Sequence, residues 1–199
     1  MSDNVKISRR LNLEARIDRA DGTFVVVHSM PISTETFESY QMILGQTLAA
    51  MYEMGIGNSV GPNMAAGLLK HVANRSNRWA EVQAGLLPEI FRLTNVIVAE
   101  NGAWRPIPWD VARQRNLIDA EDAAEVTGAI IFFIVVSALS RRSQVGPRLA
   151  EPGLIWGFKT TLSTPMELAA SLPISTQAET IIEKPAAGSS PSVLISHPG

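Results

Sequence analysis

Residues 127–142 read TGAIIFFIVVSALSRR, and no other stretch of the chain is as apolar. Between Glu125 and Arg141 lie 15 uncharged residues, which would extend about 22 Å as an α-helix. The hydrocarbon core of a bilayer is about 30 Å thick, and a helix needs roughly 20 apolar residues to cross it. Because the stretch is shorter, we predict that it is the central helix of a protein core and does not span a membrane.

The residues on either side of this stretch favour the same interpretation. Asp119 can cap the helix, Glu121 and Asp122 would lie in its first turn, and Arg141 and Arg142 would lie at its end. Acidic residues at the start and basic residues at the end complement the helix dipole. The many β-branched residues leave a buried strand as an alternative, and a membrane span is the other alternative.

Length and composition limit the class of protein. The chain has 199 residues, which suits one domain, or one domain with extensions, and 46% of the residues are hydrophobic and 18% charged. It has no cysteine, which excludes disulfides, cysteine-ligated metals and a thiol nucleophile. The net charge of −2 gives no overall attraction to nucleic acid or anionic lipid. The N-terminus lacks the apolar segment of a signal peptide, so we expect a cytoplasmic protein. From its low net charge and its short apolar stretch, we expect that it binds neither nucleic acid nor a membrane.

Two stretches have the pattern of β-hairpins. Residues 5–29 alternate in polarity before a turn at Ala20-Asp21-Gly22, and the uniformly apolar return strand should be covered on both faces. A second, small hairpin is predicted around Asn101-Gly102. Prolines 106 and 108 restrict its return strand to a sheet edge.

The rest of the core is predicted to be helical. The central helix is expected at 119–142. Helical spacing of apolar residues, helix caps and helix breakers indicate five further helices. These five are expected at about 34–52, 62–72, 79–93, 109–115 and 165–171. Pro88 should kink or divide the third of these five helices, and residues 153–161 are expected to form a loop.

The fold class predicted is therefore mainly α: a helical core with a buried central helix, an N-terminal β-hairpin and a second small hairpin. We expect one α-rich domain at 1–170 and a flexible, extended or disordered tail at 171–199.

No arrangement of residues with recognisable chemistry emerges from the sequence. The three histidines, His28, His71 and His197, have no metal-ligand spacing. The glycine-rich stretch at 55–61 follows a predicted helix and lacks the lysine of a phosphate-binding loop. We therefore predict a protein that is not an enzyme, with no catalytic residue, no metal and no cofactor.

The C-terminal region offers residues that could bind a partner. Met166, Leu168, Leu172 and Ile174 could become buried on a partner protein as the segment folds, or could dock on their own core. Trp156 is a further candidate, since tryptophan is enriched at protein interfaces.

The chain also resembles a known family over about residues 11–176, through the combination ADGTFVVVHSMPIS, LTNVIV, NGAW, LIDAEDAAEV, FFIVVSALSRR and GLIWGFKTTLSTPMELAASLPIST. In these stretches it is similar to the tail assembly chaperones of long-tailed bacteriophages. The family is diverse, and the resemblance lies in this overall pattern.

The resemblance implies a mostly helical chaperone that acts in the host cytoplasm. Such proteins bind the tape measure protein, keep its hydrophobic helices soluble and help to recruit tail tube subunits. Binding through apolar surface also implies a homo-oligomer. The alternatives are a virion structural protein of the tail or neck, an enzyme or regulator with an unrecognised site, and a peripheral membrane protein that uses residues 127–140.

Overall fold

The computed structural model describes residues 10–19, 22–56, 60–100 and 102–173. Within these ranges five strands form one antiparallel sheet in the order β4-β3-β2-β1-β5. The strands are β1 (Asn12–Asp18), β2 (Phe24–Ser29), β3 (Thr94–Glu100), β4 (Ala103–Pro108) and β5 (Phe158–Thr161).

The sheet corrects the predicted fold class. The chain was expected to be mainly α with two separate hairpins, but the fold is mixed α/β, with 59% helix and 20% strand among the described residues. Both hairpins form, and β2 also pairs with β3, with Val27 opposite Val96 and His28 opposite Asn95. The two hairpins are therefore joined side by side in one continuous sheet, and β5 adds the fifth strand next to β1.

Two details of the predicted strands are confirmed. Residues Val25 to Ser29 of β2 are all buried, because helices cover both faces of the sheet at this strand. The proline-containing strand β4 lies at an edge of the sheet, where the missing N–H groups of Pro106 and Pro108 cost no ladder bond to a further strand.

Seven helices accompany the sheet in the part of the chain that the structure describes. They are α1 (Thr34–Glu53), α2 (Met64–Arg75), α3 (three consecutive segments, Trp79–Glu81, Val82–Leu86 and Leu87–Arg92), α4 (Trp109–Gln114), α5 (Ala120–Leu139), α6 (Arg142–Trp156) and α7 (Pro165–Ser171). The middle segment of α3 is a π-helix. Pro88 cannot donate to Ala84, and a wider turn before it relieves the clash of its ring with that carbonyl.

The central helix is α5, as the sequence predicted. Every residue from Gly128 to Val136 is buried, and Asp119 caps the helix by accepting from the backbone N–H groups of Glu121 and Asp122. By length and composition α5 could cross a membrane, but 61% of its most apolar window is buried by the rest of the protein.

The predicted end of this helix was wrong. The helix ends at Leu139 and not at Arg142, and Ser140 turns extended with φ −101° and ψ 150°. Arg141 instead takes the N-cap position of α6 and Arg142 begins that helix, so the two basic residues lie at the start of the next helix and do not end the central one.

The structure also corrects the predicted loop at 153–161. Helix α6 continues to Trp156 through two internal prolines, Pro147 and Pro152. Gly157 then takes a left-handed conformation with φ 74°, and the chain returns as β5. Prolines inside a helix and a strand of four residues are both hard to predict from sequence, because they weaken the periodic pattern.

Two apolar layers hold the fold together. The inner face of the sheet, which includes Leu13 and Val27, packs against the central helix and its helical neighbours. The outer face at Val26 and Ile97 is covered by Leu168 and Ala169 of α7. The structure continues past the predicted domain end at 170 as far as Pro173, whose carbonyl accepts from Trp104 Nε1 at 2.8 Å. The remainder of the predicted tail, 174–199, lies outside the described residues.

Candidate partner-binding surface

Three consecutive apolar residues protrude from the last turn of α6. Leu154 is 89% exposed, Ile155 52% and Trp156 40%. The inner side of this turn is formed by Pro152 and Gly153, which are buried. Together, Leu154, Ile155 and Trp156 form a surface that we call the 154–156 patch.

Close backbone packing fixes the position of this patch. A Cβ atom on Gly153 would collide with the carbonyl oxygen of Phe158, so glycine is required where α6 approaches the start of β5. The left-handed Gly157 between them reverses the chain direction. These two glycines hold the last turn of α6 at a corner of the molecule.

Trp156 connects the patch to the start of α2. A Cβ atom on Gly61 would lie 3.2 Å from the Trp156 ring. The ring also lines a small cavity of about 50 Å³ with Pro62 and Asn63, and Arg16 and Glu125 line the same cavity. The indole is thus partly fixed by packing and partly available to a partner, as is common for interface tryptophans.

Other exposed apolar side chains lie around the connection between α1 and α2. Tyr52 and Met54 end α1, and Met64 begins α2 directly after the turn that contacts Trp156. Met42, Leu162 and Met166 are exposed at other places.

The five residues predicted from sequence to bind a partner lie in two separate environments. Leu168 is buried and Leu172 half-buried against the outer face of the sheet, so Leu168 is accessible only if α7 detaches. Met166, on the same helix, is 68% exposed. Trp156 lies beside Gly61 and Pro62, and Ile174 lies outside the described residues.

Sequence reasoning did not single out Leu154 or Ile155. The sequence feature that could have identified them is the run Leu-Ile-Trp directly before a glycine, which places three large apolar residues at a chain reversal. The predicted loop at 153–161 concealed it, since an isolated exposed apolar residue in a loop is unremarkable.

A larger groove lies where the central helix ends and α1 and α6 begin. Its volume is about 530 Å³, and we call it the Arg10–Arg142 groove. Seven of its lining residues are apolar, five carry a hydroxyl group and two are arginines. The lining residues are Arg10, Leu11, Pro31, Ile32, Ser33, Thr34, Phe37, Ser137, Ala138, Ser140, Arg142, Ser143, Val145 and Leu162. It could not be foreseen from local patterns, because these residues come from four separate stretches of the chain, 10–11, 31–37, 137–145 and 162.

His28 is the most buried titratable side chain that could suggest chemistry. Its Nε2 atom donates to the carbonyl oxygen of Ser163 at 2.9 Å, which leaves Nδ1 without a hydrogen-bond partner in the described structure. Burial lowers the pKa of His28 below its ordinary value of 6.5, and the bond to Ser163 opposes this shift. His28 is therefore neutral at pH 7.

The lowered pKa predicts a specific pH dependence of stability. Because the unfolded chain binds the His28 proton more tightly, this contribution to stability is complete above pH 6.5 and is lost as the pH falls through the lower, folded-state pKa. His28→Gln keeps a side-chain N–H donor but cannot titrate. In calorimetry, the fall in Tm between about pH 7.5 and pH 5.5 should be larger for the wild type than for His28→Gln.

The control for that experiment is His71→Gln, since His71 is exposed on α2. It should retain the wild-type pH dependence. Equal falls in Tm for the wild type and His28→Gln would contradict the prediction.

The described residues contain no group of three histidine, aspartate or glutamate side chains placed to hold a metal ion. No protein-family model, curated protein or solved structure matches the chain. Candidate functions therefore rest on the surface geometry and on the resemblance described above.

Proposed function

We propose that the protein is a non-enzymatic tail assembly chaperone of a long-tailed bacteriophage. In this proposal it acts in the host cytoplasm, binds the tape measure protein and helps to recruit tail tube subunits. The proposal combines the family resemblance with an exposed apolar surface on a folded domain.

The observation that carries the proposal is the 154–156 patch. Folded monomers usually bury large apolar side chains when they lie together, and contiguous exposed apolar groups mark interaction sites. At Leu154, Ile155 and Trp156 three adjacent large side chains are at least 40% exposed. A chaperone for apolar helices needs such a surface, because it must replace the contacts that those helices make after assembly.

The surroundings of the patch fit a partner that presents an apolar helix face. Met54 and Met64 flank the neighbouring connection, and methionine adapts readily to differently shaped apolar partners. Arg16 and Glu125 beside Trp156 supply one charge of each sign. Recognition here would therefore depend on apolar contact more than on net charge.

The experiment is co-expression with the tape measure protein encoded in the same genome. A soluble complex should form with the wild type and be reduced with Leu154→Asp. Leu154 is 89% exposed, so this change should leave folding intact. Loss of a central apolar contact costs about 2 kcal/mol, or roughly a 30-fold rise in Kd.

A matched control is Met42→Asp, which places the same charge at an exposed apolar residue on α1. It should bind like the wild type. Failure of the wild type to solubilise or co-purify the tape measure protein would contradict the chaperone proposal.

The same surface should support self-association. Sedimentation velocity of the wild type over a range of concentrations should reveal oligomers, and Leu154→Asp should shift them towards monomer. A wild type that remains monomeric at the highest concentrations would refute the homo-oligomer expected from the resemblance.

The second candidate is a virion structural protein of the tail or neck. The observation that favours it is the sheet, whose edge strand β5 immediately follows the patch and could pair with a strand of another subunit. Purified particles distinguish the candidates. A structural component would be present in them in stoichiometric amounts, whereas a chaperone that acts before assembly would be absent.

A further inference from the structure

The Arg10–Arg142 groove has the dimensions and chemistry of a peptide-binding site. Its volume of about 530 Å³ lies in the range of ordinary ligand pockets. Leu11, Ile32, Phe37, Val145 and Leu162 give it apolar walls. It could therefore take two or three aliphatic side chains from an extended segment.

The charges of the groove all have one sign. Arg10 and Arg142 line it, and no described lining residue is acidic. Arg10 Nη1 donates to the carbonyl oxygen of Ile32 at 3.0 Å, which holds that guanidinium at the rim. Neither arginine forms a salt bridge with a carboxylate in the described ranges. The groove thus favours an occupant that combines aliphatic side chains with negative charge.

We propose that this groove binds residues 179–183 of the same chain. They read Glu-Thr-Ile-Ile-Glu, with two adjacent isoleucines between two glutamates. Ile181 and Ile182 enter the apolar part of the groove, and Glu179 and Glu183 pair with its two arginines. Glu179 and Glu183 are the only acidic side chains in 174–199.

Charge argues against the other end of the chain as the occupant. Residues 1–9 lead directly into Arg10 but carry one acidic residue, Asp3, and two basic residues, Lys6 and Arg9. Their net charge is positive, so the two arginines would repel them. Residues 174–199 carry two acidic residues, Glu179 and Glu183, and one basic residue, Lys184, so their net charge is negative.

The chain is long enough for residues 179–183 to reach the groove. Leu162 lines it, and the chain from Leu162 through α7 to Pro173 spans at most about 26 Å, given ~1.5 Å per helical residue and ~3.5 Å per extended residue. The eight steps from Pro173 to Ile181 can cover about 28 Å when extended. The inference is independent of the proposed chaperone function.

The absence of cysteine from the chain allows a direct test by disulfide trapping. Ser143→Cys places a thiol in the groove, and Thr180→Cys places one between Glu179 and Ile181 without removing either. The test compares two double variants in dilute full-length protein under mild oxidation. Ser143→Cys with Thr180→Cys should form an intramolecular disulfide about ten-fold faster than Ser143→Cys with Ser190→Cys. Both tail positions are tethered, so the difference reports docking and not effective concentration alone.

Charge variants make the test specific. Adding Glu179→Lys and Glu183→Lys to the first pair should slow trapping about ten-fold, because attraction to both arginines becomes repulsion. Adding Arg142→Glu to that variant should recover part of the lost rate. Equal rates for Thr180→Cys and Ser190→Cys would overturn the proposal, as would indifference to charge reversal.

Two further outcomes would assign the groove to another occupant. Faster trapping of Ser143→Cys by Val5→Cys than by Thr180→Cys would assign it to the N-terminal segment. A predominantly intermolecular disulfide would assign it to a second copy of the chain. Either result overturns the intramolecular proposal but leaves the chaperone proposal untouched, because the latter rests on the 154–156 patch.

Discussion

Ile131→Asp should leave the protein unfolded at room temperature. Ile131 is 2% exposed in the middle of the central helix, and both of its neighbours in the chain are also buried. Ile131 belongs to the apolar core, so the new carboxylate would be buried among apolar side chains, at a cost of several kcal/mol. Loss of the isoleucine packing adds about 2–5 kcal/mol, and the sum reaches the 5–15 kcal/mol that typically separates the folded and unfolded states.

Circular dichroism with urea titration measures this effect. The control is Ala124→Asp, which introduces the same side chain into the same helix at an exposed position. An acid near the helix N-terminus interacts favourably with the helix dipole, so Ala124→Asp should change stability by less than about 0.5 kcal/mol. A cooperatively folded Ile131→Asp with near wild-type stability would show that this segment is not the centre of the core.

Local patterns predicted the individual elements well where the pattern was strong. The apolar run 127–140 with Asp119 before it indicated a buried, capped helix, and Thr164-Pro165 indicated the start of α7, where the Thr164 side chain accepts from Glu167. These features depend on neighbours within a few residues. The union of the hairpins was not predicted, because Ser29 and Thr94 are 65 residues apart and a periodic pattern does not identify a partner strand.

The candidate surfaces were less predictable than the elements for the same reason. Trp156 could be singled out by residue type alone, but its contact with Gly61 depends on how α6 and α2 come together. The walls of the Arg10–Arg142 groove come from residues as far apart in the chain as Arg10 and Leu162. Arg142 was assigned to the end of the wrong helix, because basic residues suit a helix C-terminus and nothing local showed that Ser140 breaks the helix first.

Gly128→Ala should be the most damaging glycine-to-alanine change among the described glycines of the helices. Gly128 is buried on the central helix, and a Cβ atom there would collide with the backbone of Asn63 at the start of α2. Backbone cannot rotate away as a side chain can, so the two helices would have to separate. Overpacking of a core costs about 1–3 kcal/mol, and we expect this change to reach or exceed the upper end, with Tm lowered by more than about 6 °C.

Gly67→Ala is the matched control, because it adds the same methyl group to a helix of the same pair. Gly67 lies in α2, and nothing lies within 4 Å of a Cβ atom built on it. Alanine in an open helical position stabilises by about 0.5–1 kcal/mol. The two variants should therefore move Tm in opposite directions. The intrinsic helix preference of alanine is the same in both, so the difference between them measures the close approach of α5 and α2.

One outcome would contradict this prediction. If Gly128→Ala were as stable as Gly67→Ala, the two helices could not be in contact at Asn63. Trp156 would then lose the support that the 61–63 turn gives it, because that turn is fixed between Gly128 on one side and the indole on the other.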